Sequence, residues 1–595
     1  MNRSALEYYL KNIELYQQKS KEWKRKSSLL ANLRLASIII SFVFFYFYFS
    51  KNNTLFIYFA LSFILLFLFL IKKHLLSQKK FQFFEALLHI NQTEYNFLEN
   101  NECPFPDGQE FIDPKNAFTF DLDIFGKGSL FQHLNRTKTQ VGKMRLADLL
   151  QQNQLIQNIE EHQKAIQELR EKSEWRQAFT AHAQLSHDSS TVFQELSQWS
   201  EQAIPTTIKG IYNILSIINP IVTILLIIAY FYFPFPNIQT YLIIIIFANL
   251  MISNGAKRLY KAQFINIHEI DSIITDYSNI LKNIQATTFE SPYLQKIQSD
   301  LQQKQAAQQF AILSNILKRV DTIQNIFGAI ILNGVFLYHV QTIKKMLKWR
   351  QNNHHDFLNF LHQIGEIEAL NSLANFSFNN PEYCYPTFNS DFLLSFNNLG
   401  HPLIDSRKRI NNSVVFDQQR FIILTGSNMA GKSTFLRSLG VNMVLANIGA
   451  PICAQEANIH ALPIYVSMRQ SDSLNEQESY FFAEVKRLQY IMNQLKNQAC
   501  FLLLDEILRG TNSEDKRNGT LGVIDKILEY NGIGVIATHD LDVCQITFQH
   551  PSVLKNMRFE AQIIDNELYF DYQLQDGICE NKSATFLMKK LEIIS

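Results

Sequence analysis

The sequence predicts two structural classes in one chain: an α/β domain with a parallel sheet core at the C-terminus, and an all-α region before it that carries two inserted apolar hairpins. Three observations predict this division. Short apolar runs that suit buried strands alternate with helical stretches from about Phe388 onward. Long stretches rich in Gln, Glu, Lys, Ile and Leu precede them. Four nearly uncharged runs, arranged in two pairs, interrupt this region, and each is close to the length that crosses a bilayer.

The composition bounds the class of protein without naming a function. The 595 residues are enough for several domains, and a net charge of +1 argues neither for nor against a nucleic-acid partner. The six cysteines are scattered without the spacing of metal ligands: Cys103, Cys384, Cys453, Cys500, Cys544 and Cys579. That distribution is typical of free thiols in a reducing compartment.

The first pair of apolar runs follows a basic N-terminus. Leu35–Phe49 and Thr54–Ile71 are separated by a short tip, and basic residues flank the pair on both outer sides while the tip carries one lysine. The positive-inside rule places both ends in the cytoplasm. No small-residue cleavage site follows, which argues against a signal peptide. We therefore expect a basic N-terminus and transmembrane hairpin over residues 1–76, and a helical linker over 77–114.

The second pair is Ile211–Phe233 and Ile238–Ile252. Its connection carries no charge, whereas Lys209 precedes the pair and a Lys–Arg pair follows it, so the orientation is again in–out–in. We expect a second transmembrane hairpin over residues 205–256. Together the four helices predict a multi-pass protein of the inner, cytoplasmic membrane with its C-terminal domain in the cytoplasm. A further apolar run, Ile326–Val340, has only fifteen residues and suits a buried core helix better than a span.

The remaining stretches between the hairpins and the C-terminal domain are helical in pattern. Gln151–Arg176 and Lys257–Lys318 contain few glycines or prolines, and we predict long amphipathic helices for both. In the C-terminal domain we predict strands at Phe421–Leu424, Phe501–Leu504 and Gly534–Ala537. A β-rich tail follows over 561–574.

A phosphate-binding motif follows the first of these strands. Phe421–Leu424 runs into Gly426-x-x-x-x-Gly431-Lys432-Ser433, and this spacing in a strand–loop–helix context argues against a bare glycine turn. The glycines let backbone N–H groups close around phosphate oxygens, at the positive end of the next helix. Lys432 would reach the β- and γ-phosphates and Ser433 would ligate Mg²⁺. The nucleotide-binding residues of the loop would be Gly426, Ser427, Asn428, Met429, Ala430, Gly431, Lys432, Ser433 and Thr434.

The other two strands end in side chains that suit the same site. Asp505 and Glu506 follow one strand: Asp505 would bind Mg²⁺, and Glu506 could orient or deprotonate an attacking water. His539 follows the next strand and so reaches the same carboxyl edge, where open parallel sheets bind ligands. We therefore predict catalytic roles for Glu506, His539 and Lys432, and metal ligation by Ser433 and Asp505.

These motifs together resemble the ATPase of the MutS DNA mismatch-repair family, within the wider ABC-type ATPases. The resemblance rests on Thr425–Thr434 (TGSNMAGKST), Asp505–Thr511 (DEILRGT) and Ala537–His539 (ATH). Ser479–Glu484 is similar to the family's segment that contacts the other subunit's nucleotide, and Tyr572–Gly577 to its terminal strand and turn. The resemblance implies an ATP hydrolase that uses ATP and Mg²⁺ and forms a homodimer through this domain. In that dimer, Ser479 would approach the γ-phosphate held by the other chain.

The resemblance extends upstream of these motifs. Gly128–Thr137 looks like the start of the family's helical core, Glu366–Leu370 with Asn379–Pro381 resembles its end, and His401-Pro402 the start of the ATPase. It implies a helical core over 115–204, lever helices and the rest of the core over 257–384, and an ATPase domain over 385–595. It also implies DNA and further repair proteins as partners. Residues 1–114 contain no counterpart of the family's mismatch-reading domain, so we do not expect mismatch reading itself.

Three hypotheses about function stay open at this point. The first is a membrane-anchored MutS-like ATPase that binds DNA, with basic residues of Lys127–Arg145 and Lys304–Lys318 contacting phosphates. The second is an ABC-type membrane ATPase for transport or lipid handling, for which four spans are few and no intramembrane charge marks a path. The third is a membrane scaffold whose nucleotide cycle switches assembly.

Overall fold

Most of the described chain as far as Asn379 is helical, and strands alternate with helices after it. The computed structural model describes residues 3–100, 102–186, 188–201, 210–233, 236–261, 267–322, 326–427, 429–469, 480–564, 567–580 and 593–594. The helices are α1 (Arg3–Lys51), α2 (Leu55–Asn100), α3 (Leu130–Leu134), α4 (Gln140–Gln151), α5 (Ile159–Glu171), α6 (Ser173–Leu185), α7 (Ser190–Glu201), α8 (Gly210–Tyr232), α9 (Ile238–Lys261), α10 (Ile267–Ala286), α11 (Pro292–Gln303), α12 (Ala306–Thr322), α13 (Ile326–Phe336), α14 (Tyr338–Asn379), α15 (Lys432–Asn447), α16 (Tyr480–Asn497) and α17 (Ser513–Glu529). The strands are β1 (Thr387–Phe388), β2 (Leu394–Leu399), β3 (Asn412–Phe416), β4 (Phe421–Gly426), β5 (Glu456–Ile459), β6 (Ile464–Ser467), β7 (Phe501–Asp505), β8 (Ile533–Ala537), β9 (Leu554–Ile564) and β10 (Glu567–Asp576).

The first two helices form a hairpin that is much longer than the apolar runs predicted to span a membrane. α1 has 49 residues and α2 has 46, so each apolar run occupies only the part of its helix near the tip. The helical linker predicted over 77–114 is α-helical only to Asn100, and there it is the continuation of α2. The stretch from 72 to 100 contains neither glycine nor proline, so nothing in it interrupts the helix.

The tip of this hairpin is apolar on its outside and carries small polar residues within. Phe42 and Tyr58 are each 67% exposed and Leu65 is 68% exposed. Ser41 is buried between the helices, and its hydroxyl donates a hydrogen bond of 3.0 Å to the carbonyl oxygen of Ala60. This distribution is the reverse of that in a helix pair surrounded by water.

A buried polar cluster fixes the base of the hairpin to α14. The carboxylate of Glu94 on α2 forms an ion pair with Arg136 and accepts hydrogen bonds of 3.1 Å from the side-chain amides of both Asn375 and Asn379. The hydroxyl of Tyr9 on α1 donates to Oδ1 of Asn379 at 2.8 Å. Because Tyr9, Glu94 and both asparagines are buried, the cluster holds α1, α2 and α14 together at one point.

The second hairpin consists of α8 and α9, and α13 packs against both helices. α8 and α9, together with α1 and α2, are the four helices in the described part of the chain that are long and apolar enough to cross a membrane. The prediction of a buried core helix over Ile326–Val340 is wrong. The helix ends at Phe336, and Ile330 and Ile331 are 49% and 62% exposed. An apolar run of this length does not by itself reveal what surrounds it.

The two stretches predicted as long amphipathic helices are broken into shorter ones. Gln151–Arg176 contains the end of α4, a turn, α5 and the start of α6, because Asn158 adopts a left-handed φ of 58° and Lys172 leaves the helical region. Lys257–Lys318 is shared among α9, α10, α11 and α12. Pro292, which lacks a backbone N–H, begins α11, and Gln305 at a φ of 52° separates α11 from α12.

The C-terminal domain is built on a six-stranded sheet with the order β10-β9-β4-β8-β7-β6. Neighbouring strands are parallel except for the antiparallel pair β9 and β10, which contains the predicted β-rich tail. The strands predicted at Phe421–Leu424, Phe501–Leu504 and Gly534–Ala537 are confirmed as β4, β7 and β8. A second sheet has the order β1-β5-β2-β3. β4 therefore lies inside the larger sheet, with its carboxyl end next to that of β8.

Residues 115–125, where the helical core was predicted to begin, lie in turns against the edge of the larger sheet. The carbonyl oxygen of Ala117 accepts a hydrogen bond from the N–H of Val466 on β6 at 3.1 Å. The carboxylate of Asp121 accepts from the N–H groups of Met468 and Arg469 at 2.8 and 2.7 Å. These contacts cover the edge strand and join the sheet domain to the helices that follow.

Candidate active site

The predicted phosphate-binding loop follows β4, which is buried along its whole length. Gly426 ends the strand at a φ of 157°, and a Cβ there would lie 2.7 Å from the carbonyl oxygen of Phe559 on the neighbouring β9. Gly431 precedes α15 at a φ of 108°. Both positions therefore require glycine, the first because of close packing and the second because of its backbone angle. The loop between them ends at the N-terminus of a helix, where N–H groups favour an anion.

Lys432 is held at the centre of this loop. Its ammonium nitrogen Nζ donates to the carbonyl oxygens of Gly426 at 2.8 Å and Ser427 at 3.1 Å, and lies 3.3 Å from Nε2 of His539. Burial lowers the pKa of Lys432, while the nearby carboxylates of Glu506 and Asp505 raise it. The side chain thus presents a positive charge where the loop N–H groups and the helix terminus also favour negative charge.

Ser433 and Asp505 lie side by side at the carboxyl ends of β4 and β7. The hydroxyl of Ser433 donates to Oδ2 of Asp505 at 2.6 Å. Asp505 is buried, and its Oδ1 accepts no hydrogen bond from the described residues. A hydroxyl next to a carboxylate with a free oxygen fits Mg²⁺, which takes few protein ligands and completes its shell with phosphate and water. No cluster of three His, Cys, Asp or Glu side chains in the described residues could hold a metal ion without such additional ligands.

Glu506 and His539 form a pair at the same edge of the sheet. Nε2 of His539 lies 2.7 Å from Oε1 of Glu506, and Nε of Arg509 lies 3.3 Å from Oε2. The hydrogen bond from His539 and the positive charges of His539, Arg509 and Lys432 lower the pKa of Glu506 to about 2, although partial burial opposes them. Glu506 is therefore ionised throughout the physiological pH range and is a weak proton acceptor in this arrangement.

A cavity of about 460 Å³ opens over the phosphate-binding loop. Its far wall is formed by residues that the sequence did not assign to the site, in particular Ile404 and Ile410 in the connection between β2 and β3. His401, which the sequence assigned only to the start of the domain, lines the same wall. Burial and the nearby charges of Arg437 and Arg409 lower the pKa of His401 to about 4, so its imidazole is neutral at pH 7. The volume and the mixed lining suit a small organic ligand.

Tyr572 contributes a second wall through a bulge in β10. The pairing register with β9 shifts between Phe570 and Leu574, and Tyr572 adopts a φ of 54°. The side chain of Asn412 on β3 holds the bulge, because it donates to the carbonyl oxygen of Tyr572 at 3.0 Å and accepts from the N–H of Leu574 at 2.7 Å. A Cβ on Gly431 would lie 3.2 Å from the Tyr572 ring. The sequence had marked this strand by resemblance, but had given Tyr572 no role in the site.

Two of the predicted site residues, Asn428 and Ser479, lie outside the described residues. Met429 is 82% exposed, Ala430 is buried, and Thr434 is exposed in the first turn of α15. The helix that follows Ser479 in the chain, α16, is bound to the loop after the two carboxylates. Oε1 of Glu484 accepts a hydrogen bond of 2.6 Å from the N–H of Leu508.

Comparison with known proteins agrees with the geometry of the site. Residues 422–591 match the family model of MutS domain V. This part of the chain is therefore similar to the MutS family. The chain is 31% identical over 206 residues to human MutS protein homolog 4, a match that covers 33% of this chain and 22% of that protein. It is 30% identical over 240 residues to the DNA mismatch repair protein MutS of Bacteroides fragilis, covering 38% of this chain and 27% of that protein.

A third relative, the DNA mismatch repair protein MutS of Thermotoga maritima, is 27% identical over 221 residues, covering 36% of this chain and 27% of that protein. In these three matches, the chain spans about a quarter of the length of the curated relatives. The family model accounts for the sheet domain from β4 onward. It does not extend to the apolar hairpins.

Proposed function

We propose that this chain is a MutS-type ATP hydrolase anchored in a membrane, with its catalytic centre at the carboxyl edge of the six-stranded sheet. One observation carries the proposal: five side chains from three different strand ends lie together at this edge. His539 is within hydrogen-bond distance of Lys432 and Glu506, and Ser433 is within hydrogen-bond distance of Asp505. Open parallel sheets bind their ligands at this edge. The match to MutS domain V supports ATP as the nucleotide.

In the proposed reaction, the N–H groups of the loop and the ammonium of Lys432 bind the β- and γ-phosphates, and Ser433 with Asp505 would hold Mg²⁺. When bound, Mg²⁺ would neutralise negative charge on the phosphate oxygens. Glu506 accepts a hydrogen bond from the attacking water and so orients it, because a carboxylate with a pKa of about 2 is too weak a base to take the proton early. His539 fixes the position of that carboxylate.

A second copy of the chain would complete each site. Ser479 would approach the γ-phosphate held by the partner, as the family resemblance implies. α16, which follows Ser479, is tied to its own site through Glu484 and Leu508. It is also tied to the segment at the sheet edge, because the guanidinium of Arg487 donates to the carbonyl oxygens of Asn116 and Ala117 at 2.8 and 2.7 Å. ATP bound in one site would therefore affect the Ser479 segment that the same chain presents to the site of its partner.

The proposed anchor consists of α1, α2, α8 and α9, which would make the chain a multi-pass protein of the inner membrane with its ATPase domain in the cytoplasm. Their length, apolar composition and outward-facing apolar residues support this. The part of the first hairpin between its base and its apolar runs also suits a membrane–water interface. The ring of Trp23 there lies under the ammonium groups of Lys26 and Lys80, at 4.6 and 4.5 Å. Tryptophan and basic residues concentrate at the cytoplasmic interface of membrane proteins.

DNA is the proposed ligand of the helical region, on the strength of the family relationship, but its contact surface differs from the first expectation. Several basic residues considered for phosphate contact are engaged in ion pairs within the chain. The pairs are Arg136–Glu94, Lys143–Glu110, Arg145–Glu366 and Lys304–Asp356. This pairing favours a DNA surface elsewhere, and it keeps a second candidate function open: a membrane scaffold whose nucleotide cycle switches assembly, with other repair proteins as partners.

ATP turnover by the full-length protein in lipid nanodiscs tests the proposal. Glu506→Gln should keep ATP binding and lower kcat at least about a hundredfold, because a neutral amide replaces the charged carboxylate that holds the protons of the water. Lys432→Ala should weaken ATP binding at least about tenfold, since a charge-assisted contact to phosphate contributes about 1.5–3 kcal/mol. Lys526→Ala, on an exposed face of α17, is the matched control and should behave as the wild type.

The proposal fails if the wild-type protein does not bind ATP in the presence of magnesium, or if Glu506→Gln turns over normally. Adding homoduplex, mismatched and branched DNA then separates the two candidate functions. Stimulation by one of these at low salt supports a DNA-dependent ATPase. Turnover that is indifferent to all of them favours the scaffold.

A further inference from the structure

We propose that α13 is a re-entrant membrane helix: it enters the bilayer from the cytoplasmic side, packs on α8 and α9, and the chain turns back at Leu337, so that lipid acyl chains cover its outer face. The inference rests on the proposed insertion of α8 and α9, and it adds a fifth membrane-embedded element to the four spans. It converts the second hairpin into a three-helix unit whose last helix leads directly into α14.

A buried hydrogen-bond network holds the three helices together. The side-chain amide of Asn219 on α8 donates to Oδ1 of Asn249 on α9 at 2.8 Å. The amide nitrogen of Asn249 donates in turn to the hydroxyl of Thr223 at 3.1 Å and to the carbonyl oxygen of Gly334 at 2.8 Å. Gly334 lies in the last turn of α13, where carbonyl groups have no partner within the helix. Asn249 thus satisfies a backbone group of α13 that lipid could not.

The network lies at mid-depth of the proposed spans. Asn249 is eleven residues from Ile238, at the outer end of α9, which corresponds to about 16 Å along the helix. Thr223 is nine residues from Tyr232, at the outer end of α8, or about 14 Å. The hydrocarbon core of a bilayer is about 30 Å thick. α13 has 11 residues and is about 16 Å long, so a helix of this length that starts at the cytoplasmic surface reaches the same depth.

The faces of α13 match this placement. Asn333 and Gly334 are buried toward the hairpin, and a Cβ on Gly334 would lie 3.0 Å from Cγ2 of Ile246 on α9, so the two backbones approach closely. Small residues at close contacts are typical of helix packing in membranes. Ile330, Ile331 and Phe336 are exposed around the rest of the helix.

The turn between α13 and α14 also suits an apolar surrounding. Leu337, at a φ of 50°, separates α13 from α14 and is buried. Oδ1 of Asn333 accepts a hydrogen bond of 2.9 Å from the N–H of His339, in the first turn of α14, where backbone N–H groups lack partners within the helix. Lys344 and Lys345 are exposed on α14, about 10 Å further along the helix. The long side chains of lysines at that distance reach the cytoplasmic surface.

Lipid is the occupant that these observations favour for the outer face. The exposed apolar residues of α13 continue the outward faces of α8 and α9, where Ile217, Leu225 and Ile243 are exposed. The resulting surface is apolar on each outward side. An interface with a second copy would instead carry a polar rim around an apolar centre.

Site-directed spin labelling of the full chain in vesicles of phosphatidylcholine and phosphatidylglycerol tests the inference. A nitroxide is attached at Ile331→Cys, at Ile243→Cys on α9 as the membrane reference, and at Gln303→Cys on α11 as the aqueous reference. The parent protein, labelled in the same way, gives the background from the six native cysteines. We expect collisions with oxygen to exceed collisions with a water-soluble nickel chelate several-fold at Ile331 and Ile243, and the opposite at Gln303. Ile330→Cys provides a second exposed position on α13 if Ile331→Cys does not fold.

The other outcomes overturn the inference in ways that can be told apart. If the labels at Ile330 and Ile331 behave like the one at Gln303 while Ile243 remains in lipid, α13 is not re-entrant, and the proposed anchor stands. If the labels on α13 are shielded from both reagents, protein and not lipid covers this face. If Ile243 also behaves like Gln303, the proposed membrane anchor itself fails, and the re-entrant helix fails with it.

Discussion

The six-stranded sheet and the second hairpin bury opposite kinds of side chain. β4, β7 and β8 are apolar and buried throughout, and their polar residues collect at the carboxyl edge. α8, α9 and α13 bury Asn219, Thr223 and Asn249 and expose isoleucine, leucine and phenylalanine. In both regions a buried polar group needs a hydrogen-bond partner within the protein, because its apolar surroundings supply none. The difference supports the proposed membrane surroundings of the second hairpin.

A polar side chain placed inside the sheet and an apolar side chain placed inside the hairpin should therefore both destabilise the protein, and the larger effect should be in the sheet. Leu503 is fully buried in β7. Leu503→Asn should destabilise the sheet domain by at least about 3 kcal/mol, because it removes apolar contacts and buries an unpaired amide. Leu503→Ile, of equal volume, should cost less than about 1.5 kcal/mol. Resistance to proteolysis of the full-length variants measures the difference, and equal resistance would contradict the expectation.

A substitution at Gly426, where the backbone leaves no room for a side chain, tests the sheet alone. Gly426→Ala places a Cβ 2.7 Å from the carbonyl oxygen of Phe559 at a φ that side chains rarely adopt. We expect a loss of about 1–3 kcal/mol, detected as faster hydrogen exchange of the β4 and β9 amides. Gly522→Ala is the matched control, because a Cβ on Gly522 in α17 meets nothing within 4 Å. It should leave exchange unchanged or slow it slightly. Similar exchange in the two variants would mean that the loop tolerates a side chain.

The corresponding test in the second hairpin is Asn249→Leu. This change removes three hydrogen bonds from the interior of α8, α9 and α13 and introduces an apolar side chain of similar size. The expected cost is about 0.6–2 kcal/mol, smaller than that of Leu503→Asn. Ile243→Leu, on the outer face, is the control and should cost nothing measurable. Thermal unfolding in a mild detergent compares them, and a more stable Asn249→Leu variant would show that the network contributes no stability.

The smallest effect is expected from pH at the catalytic edge. The pKa of Glu506 is lowered to about 2, so the carboxylate is charged above that value and loses its charge only as the pH falls through it. We therefore expect Glu506 to contribute no acid limb to kcat between about pH 5 and 8. His539→Asn removes the largest cause of the shift, so the pKa of Glu506 should rise toward the usual value for a glutamate. A limb near pH 6 in the wild-type profile that disappears in Glu506→Gln would contradict this assignment.

Much of the catalytic edge could be predicted because its signals are local. The spacing of Gly426 and Gly431 and the carboxylates after an apolar run each lie within one strand–loop unit. Ile404, Ile410 and Tyr572 could not be found in this way. They reach the cavity through the pairing of distant strands and a bulge that Asn412 stabilises, and neither leaves a pattern in the sequence.

The helical region shows the same limit. Hydropathy predicted the apolar pairs, because a span needs a long uncharged run. It could not reveal how α13 packs on the second hairpin, since the polar partner of Gly334 comes from Asn249, 85 residues away in the chain. The breaks at Asn158 and Gln305 were missed because single left-handed residues have no periodic signal. Tertiary contacts, not local preference, decide these features.

α14 has a mechanical consequence. It runs without interruption for 42 residues, about 63 Å, from the turn at Leu337 to Asn379. Beyond its end, the hydroxyl of Tyr383 accepts a hydrogen bond of 2.9 Å from Arg409, which lines the nucleotide cavity. A tilt of about 5° at that end would move the other by about 5 Å, a sizeable fraction of a bilayer leaflet. In the proposed membrane-anchored ATPase this coupling would be reciprocal, so the thickness and tension of the lipid would influence how tightly ATP is held.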